Sequence, residues 1–261
     1  MDVTRRAFLR DLGQGSLAVA VLGVGVLACS SDSNPVGADS TTTTRSGPVD
    51  SSQPPSTTTT MAGSVEGVSW ERVVLGSVSA YVLVRAGEAA VVDTGFPGDA
   101  ADIAATLVGL GIGWSDVSTI ILTHSHGDHV GSLGDVMAAA PDAIGYGGEP
   151  DIPGMRSPRP ITPVGDGDTV FGLEIIATPG HTPGSIVVRD PVSGLLVAGD
   201  ALRGDGGGVI GPSPRFTVDM DLANASIRKL SGLEFDAVVF GHGDPVVGNA
   251  AQQVAALAAT L

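Results

Sequence analysis

The sequence is poor in cysteine, in positive charge and in aromatic side chains. Cys29 is the only cysteine, so no disulfide can form within the chain, and a metal site in its body has to use nitrogen and oxygen ligands. Lys and Arg number 13 against 28 Asp and Glu, and the formal net charge is −15. Such a chain lacks the basic surface that neutralises nucleic-acid phosphates, so we expect no nucleic-acid partner.

Aromatic residues make up 4% of the chain while glycine occurs 38 times, which indicates a loop-rich protein with a core of Ala, Val, Leu and Ile. A chain of 261 residues is long enough for one sizeable domain with appendages. Within residues 65–261, short apolar strands such as 119–122 alternate with helical patterns such as 222–230. This pattern predicts an α/β (α+β) fold with helices on the outer faces of sheets.

Residues 1–29 have the features of an export signal. Thr4–Leu9 resembles the twin-arginine motif, and the apolar run 17–28 is too short to span a bilayer as a mature helix. Val26–Cys29 resembles a bacterial lipobox, in which the cysteine is lipidated and becomes the new N-terminus. A plain cleaved signal with an incidental cysteine is the alternative, but the sole cysteine falls at the end of the apolar run and favours the lipobox.

Residues 30–64 are rich in Ser, Thr and Pro and contain almost no large apolar side chain. Such a segment buries too little surface to offset its ordering entropy, so we predict a disordered tether. The expected location is therefore extracytoplasmic: a protein exported by the twin-arginine route and anchored to the cell membrane only through a lipid on Cys29.

All five histidines follow apolar strands, and three of them lie within residues 124–129. His124 and His126 are two residues apart in an extended stretch and can point to one ion. If the chain then turns into a helix, Asp128 and His129 can face a second ion, and Gly127 permits the bend between the two pairs. His181, Asp200 and His242 each lie in a loop just past the end of another strand, where they can join the same cluster.

These motifs together resemble the metallo-β-lactamase superfamily, over about residues 70–245. The matching segments are HSHGDH (124–129), TPGHTPGS (178–185), AGD (198–200), FGHG (240–243) and the strand-ending DTG (93–95). The resemblance implies a four-layer αββα sandwich with metals at one edge. An aspartate at position 200, where the β-lactamases themselves usually have cysteine or serine, is similar to the glyoxalase II, lactonase and wider hydrolase branches.

The resemblance also implies a ligand set. One metal would be held by His124, His126 and His181, the second by Asp128, His129 and His242, and Asp200 would bridge them. Imidazole and carboxylate ligands suit two catalytic Zn²⁺ ions per chain, with iron or manganese as alternatives.

We therefore expect a hydrolase of a small ester-like substrate (thioester, lactone, β-lactam or phosphoester) that acts through a metal-bridging hydroxide, with Asp128 and His129 as catalytic residues. One alternative is an oxidoreductase similar to the mononuclear iron persulfide dioxygenases, which would use the positions of His124, His181 and Asp200. The other is a non-catalytic, surface-anchored binding protein. The substrate and the oligomeric state are not indicated.

Two loop segments, Glu149–Pro160 and Ala201–Arg215, are expected to border the metal edge. They contain Arg156, Arg159, Arg203 and Arg215, which are either solvated loop charges or groups that recognise an anion on the substrate. Residues 206–211 formally fit GxGxxG, but Pro212 and Pro214 follow in place of a helix, so dinucleotide binding is not expected.

Overall fold

A computed structural model describes residues 66–261. The predicted export signal (1–29) and the predicted tether (30–64) lie outside the described residues. Among the described helices, none has the length and apolar character needed to cross a membrane.

The first sheet has six strands in sequential order. They are β1 (Ser69–Leu75), β2 (Val78–Arg85), β3 (Glu88–Val92), β4 (Val117–Leu122), β5 (Ile144–Gly148) and β6 (Ile161–Val164). Strands β1 to β3 form an antiparallel meander, whereas β3 to β6 are parallel. The parallel half brings the carboxyl ends of β3 and β4 to the same edge of the sheet.

The second sheet also has six strands, in the order β14-β13-β10-β9-β8-β7. These strands are β7 (Thr169–Val170), β8 (Leu173–Ala177), β9 (Ile186–Asp190), β10 (Leu195–Val197), β13 (Ala237–Val239) and β14 (Val246–Val247). A separate hairpin of β11 (Arg203–Asp205) and β12 (Gly208–Ile210) follows β10. Gly206 and Gly207 form its two-residue turn with positive φ, so the GxGxxG pattern is a hairpin turn here.

Five α-helices complete the described fold: α1 (Ala100–Gly109), α2 (Gly127–Val130), α3 (Leu133–Ala139), α4 (Met220–Leu230) and α5 (Ala250–Ala258). Asp219 caps α4 by accepting a hydrogen bond from the Leu222 N–H. Residues 114–116 and 149–154 form short 3-10 helices.

Three apolar clusters show how these elements stack. In the first, Ile103 of α1 and Val136 of α3 pack on the outer face of the first sheet. The second lies between the two sheets and includes Tyr81 and Ile175. The third packs α4, through Ile227, and α5 on the outer face of the second sheet. The layers are therefore helix, sheet, sheet, helix, and the predicted αββα sandwich is confirmed.

The sequence pattern joins two helices into one and misses several short strands, of which β5 is the longest. The periodicity predicts one helix over 130–140, but α2 ends at Val130, where the Gly131 N–H donates to the Gly95 carbonyl and the segment at Pro97 packs closely on Gly131. A Cβ on Gly131 would lie 2.5 Å from the Pro97 Cδ. Strand β5 was not predicted, because its sequence IGYGG has almost no β-branched residues. Its glycines reflect crowding: a Cβ on Gly145 would lie 2.6 Å from Ile161 and from Met137.

Candidate metal centre

The seven predicted ligands converge on one edge of the sandwich. His124 and His126 lie in the loop after β4, and Asp128 and His129 lie in α2. His181, Asp200 and His242 follow β8, β10 and β13. These three strands run in the same direction, since β10 is parallel to β13 and both β8 and β10 are antiparallel to β9. One sheet therefore supplies four of these side chains and the other sheet supplies three.

Neighbouring nitrogen and oxygen atoms of these side chains lie close enough together to bind a shared metal ion. The Nδ1 of His126 is 3.1 Å from the Nε2 of His124 and 3.0 Å from the Nε2 of His181. The Nε2 of His242 lies 3.3 Å from an Asp128 carboxylate oxygen.

Asp200 lies between the two halves of this cluster. Its Oδ1 is 3.3 Å from the Nε2 of His129. Its Oδ2 is 3.5 Å from the Nε2 of His181 and 3.4 Å from that of His242. Three sets of side chains have their donor atoms within 4.8 Å of one another: His124, His126 and His181; His124, His129 and Asp200; Asp128, His129 and His242. The first and third are the two predicted ligand triads, and Asp200 has the position of a bridging group.

For four of the five histidines, a hydrogen bond outside the cluster determines which ring nitrogen is free. The Thr217 hydroxyl donates its proton to the Ser213 carbonyl at 2.8 Å, so it has to accept the 3.2 Å bond from His181 Nδ1. His181 therefore carries its proton on Nδ1 and presents the Nε2 lone pair to the cluster.

The same logic applies to His124. The Thr123 hydroxyl donates to an Asp93 oxygen at 2.8 Å and so accepts from His124 Nδ1 at 3.0 Å. His129 Nδ1 donates to Asp93 at 2.8 Å, and His242 Nδ1 donates to the Ser77 carbonyl at 2.6 Å. Four histidines thus turn Nε2 inward, whereas His126 turns Nδ1 inward.

This arrangement fits a bound cation. The Nδ1 of His126 lies 3.1 Å from the Nε2 of His124 and 3.0 Å from the Nε2 of His181. His124 and His181 carry their protons on Nδ1, so neither has a proton on the nitrogen that faces His126. The His129 Nε2 and the Asp200 Oδ1 are buried and have no hydrogen-bond partner. Buried polar atoms are almost always paired, so two unpaired atoms facing one centre are consistent with a metal ion between them.

The pKa values of the cluster also show that its carboxylates favour positive charge at this place. Burial would lower the pKa of His129, but the Asp93 and Asp200 carboxylates raise it to about 10. Hydrogen bonds to Asp128 and Asp200 raise the pKa of His242 to about 10. Burial lowers the pKa of His181 to about 4, so that imidazole stays neutral and able to coordinate. The hydrogen bond from His242 lowers the pKa of Asp128, which stays ionised at neutral pH.

Asp93 has a role that the sequence pattern does not assign. It is buried at the end of β3, with φ at +62°. Its carboxylate accepts hydrogen bonds from the Thr123 backbone N–H and hydroxyl and from His129, so one side chain orients ligands of both triads. The DTG motif pointed to this position, but the contacts with Thr123 and His129 span 30 and 36 residues of sequence.

Asp151 also supports the candidate ligands, although the sequence pattern gives no sign of this role. This buried residue of the 149–154 helix accepts hydrogen bonds from the Ser125 N–H at 2.9 Å, the Thr182 hydroxyl at 2.6 Å and the Gly184 N–H at 2.7 Å. Ser125 lies between His124 and His126, and Thr182 follows His181. Asp151 therefore joins the two loops that carry the first triad.

The loop of His242 is held by the first sheet. The Ser79 N–H donates to the Gly241 carbonyl at 2.8 Å. The Tyr81 hydroxyl donates to the Phe240 carbonyl at 2.8 Å, and burial raises the pKa of Tyr81 to about 12. These bonds fix a ligand loop of one sheet on a strand of the other.

The centre opens into a cavity of about 420 Å³, lined by Ser77, His126, Gly127, Asp128, Asp200, Phe216 and His242. Arg156, Arg159, Arg203 and Arg215 were expected near this edge, but in the described part of the chain none of them lines the cavity. Arg159 donates to the carbonyls of Pro141 and Ala140, and Arg203 donates to the Gly211 carbonyl, so both support local backbone.

The sequence model of the metallo-β-lactamase superfamily matches residues 73–242, which contain all seven predicted ligands. The chain belongs to the metallo-β-lactamase superfamily. The uncharacterized protein YobT of Bacillus subtilis is 31% identical over 196 residues, which cover 64% of this chain and 83% of YobT. Hydroxyacylglutathione hydrolase of Alkalilimnicola ehrlichii is 34% identical over 156 residues, or 59% of this chain and 56% of that enzyme.

A solved structure extends the likeness to the fold. TTHA1623 in a di-iron-bound form has a TM-score of 0.60 and 25% identity, covering 70% of this chain and 98% of that one. Relatives in this superfamily are metal-dependent hydrolases that bind divalent metals such as zinc or iron, and the prediction of a metal-dependent hydrolase is confirmed.

Proposed function

We propose that this protein is a dinuclear zinc hydrolase of a small ester-like substrate: a thioester, lactone, β-lactam or phosphoester. The observation that carries the proposal is the complete double set of inward-facing donors, with Asp200 between the two triads. A mononuclear iron oxygenase would need only His124, His181 and Asp200. The presence of Asp128, His129 and His242 in a second compact triad favours two metals and hydrolysis.

In this proposal the first ion is held by His124, His126 and His181 and the second by Asp128, His129 and His242, with Asp200 shared. Two divalent ions would supply Lewis acidity and lower the pKa of water from about 15.7 towards about 7. All seven ligands are nitrogen or oxygen donors, which suit zinc and also admit iron or manganese.

The side chains of the chain itself then divide the remaining work. His129, which was also expected to be catalytic, is fully buried and held by Asp93, so in this proposal it contributes by binding a metal. Asp128 is different, because its side chain is 26% exposed and lines the cavity as a carboxylate. We propose that Asp128 accepts a hydrogen bond from the attacking water and fixes its direction, in addition to binding a metal.

Metal content is the first test. The protein is purified without added metal, and zinc, iron and manganese are counted per chain by mass spectrometry. About two zinc ions per chain are expected. About one iron, with no second ion, would replace this proposal with the oxygenase, and oxygen consumption with persulfides would then be measured. A chain that retains no metal would favour a non-catalytic binding protein.

Turnover is the second test. The zinc-loaded protein is screened with thioesters, lactones, β-lactams and phosphodiesters. For any substrate that is hydrolysed, Asp128→Asn is expected to reduce kcat by at least about 100-fold, the usual contribution of a positioned proton acceptor. Asp135→Asn is the matched control, because Asp135 is an exposed carboxylate seven residues further along. Near-full activity in Asp128→Asn would contradict the assignment.

We also propose that the protein is exported by the twin-arginine route and held at the membrane through a lipid on Cys29. Support comes from the Arg5-Arg6 pair and the position of the sole cysteine. In cell fractionation, Cys29→Ser should move the protein from the membrane to the soluble extracytoplasmic fraction. Arg5→Lys with Arg6→Lys should leave it in the cytoplasm. An unchanged distribution in both variants would refute this proposal.

A further inference from the structure

One apolar side chain lines a cavity whose other walls are polar or glycine. Phe216 is 58% exposed, although it is one of the largest apolar residues in the chain. It borders the same space as His126 and Asp128. An exposed aromatic ring beside a catalytic centre is an unusual use of apolar surface, since such rings are mostly packed inside.

The segment that carries Phe216 is fixed to the metal centre. The Phe216 N–H donates to the Ser213 carbonyl at 3.0 Å. The next residue, Thr217, accepts the proton of His181 Nδ1. The Val218 N–H then donates to the His181 carbonyl at 3.1 Å. The backbone that carries the ring is therefore held at a set place relative to a predicted metal ligand.

Arg215 stacks on this ring. Its guanidinium carbon lies 5.3 Å from the centre of the Phe216 ring, within the range of a cation–π contact. Both side chains are exposed, and the contact leaves the Phe216 ring accessible from the cavity.

We propose that Phe216 is a specificity residue that binds an apolar group directly adjacent to the scissile ester or thioester bond. This inference rests on the proposed hydrolase function and narrows its substrates to those with an aromatic or branched apolar substituent beside the reacting carbonyl. Because Phe216 lines the same cavity as His126 and Asp128, a substituent next to a carbonyl bound there can reach the ring. Small, fully polar substrates such as simple phosphoesters would have no apolar group to bind to the Phe216 ring.

The kinetic test uses two matched pairs of thioesters. The acetyl and phenylacetyl thioesters of N-acetylcysteamine differ on the acyl side. The acetyl thioesters of N-acetylcysteamine and benzyl mercaptan differ on the thiol side. In at least one pair the wild type should prefer the aromatic member, and Phe216→Ala should reduce that ratio of kcat/KM values by about tenfold, mainly through KM. The pair that responds identifies the side that contacts Phe216.

Two variants control for side effects. Phe216→Leu keeps an apolar wall and should retain most of the preference. Val218→Ala removes an apolar side chain that is 71% exposed on the same segment but does not line the cavity, and should leave the ratio unchanged. Equal ratios in wild type and Phe216→Ala for both pairs would overturn the proposal.

Binding separates this inference from the proposed function. The dissociation constants of phenylacetate and acetate for the zinc-loaded protein are measured by calorimetry, which needs no turnover. Tighter binding of phenylacetate, with the difference lost in Phe216→Ala, supports the subsite even if no thioester is hydrolysed. If thioesters are hydrolysed but both acids bind both proteins alike, the subsite is wrong and the hydrolase assignment stands.

Discussion

Asp93 and His129 form a buried pair in which the carboxylate accepts the histidine Nδ1–H at 2.8 Å. The bond holds the imidazole in the tautomer that turns Nε2 towards the cluster. A carboxylate hydrogen-bonded to a ligand histidine also makes that ligand more basic. Loss of such a partner typically weakens metal binding by about 10- to 100-fold.

Asp93→Asn should therefore weaken zinc binding by about 10- to 100-fold. Competition with a chromophoric chelator measures the affinity directly. Asp102→Asn removes an equal charge from an exposed position in the first turn of α1 and should bind zinc like the wild type. Equal zinc affinities in Asp93→Asn and the wild type would mean that Asp93 has only a structural role.

Asp151→Asn should release mainly one of the two ions. Three donors converge on this carboxylate, so an amide places its own N–H against one of them and loosens the loops of the first triad. We expect zinc content to fall from about two towards about one per chain, with the second triad less affected. Metal analysis after gel filtration measures this. Glu149→Gln, exposed on the same short helix, is the control, and an unchanged zinc content in Asp151→Asn would refute the prediction.

Metal removal should destabilise the folded chain. A ligand at 1,000 times its dissociation constant stabilises by about 4 kcal/mol, which corresponds to about 10 °C in Tm for a domain of this size. We expect a chelator to lower Tm by about that amount in calorimetry. Asp200→Asn, which alters the shared ligand, should show a smaller shift. An unchanged wild-type Tm after verified removal of metal would contradict the proposed sites.

A buried ion pair away from the centre gives a pH-dependent prediction. Burial would raise the pKa of Asp190, but hydrogen bonds from the Val68 N–H and from Ser193 outweigh it, and the pKa lies below its ordinary value. Arg85 also pairs with this carboxylate at 3.1 Å. A lowered pKa in the folded state means that the stabilisation is present above the unfolded pKa of about 3.9 and is lost as pH falls through the folded pKa.

Asp190→Asn should therefore lower the free energy of unfolding by about 3 kcal/mol at pH 7, and the difference should shrink below about pH 4. Urea unfolding at several pH values measures it. Asp168→Asn, an exposed carboxylate, is the control. A difference that is constant from pH 7 to pH 3 would exclude ionisation of Asp190 as its cause.

Most of the longer strands and the seven predicted ligands were recognisable from sequence for a simple reason. Buried strands such as β8 are short apolar runs with sharp ends, and each histidine lies within a few residues after such an end. The regular order of the layers then brings those ends together. Local pattern was enough wherever the signal lay within a few adjacent residues.

The residues that support the centre could not be found that way. Asp151 acts on Ser125 and Gly184, which are 26 and 33 residues away in sequence. Phe216 reads as one apolar residue in a loop, and only the folded segment shows that it lines the cavity. The Gly-rich strand β5 was missed because its identity depends on close packing against Ile161 and Met137 rather than on β-propensity.

The division of the ligands between the two sheets has a consequence for the dynamics of the whole domain. The four ligands between His124 and His129 follow a strand of the first sheet, whereas His181, Asp200 and His242 follow strands of the second. Each proposed ion would therefore be bonded to side chains from both sheets. Release of such an ion breaks bonds to side chains of both sheets, so we expect it to be coupled to loosening of the loops that carry them. The rate at which the ions exchange should therefore rise and fall together with the rate of slow amide hydrogen exchange in the strands that carry their ligands.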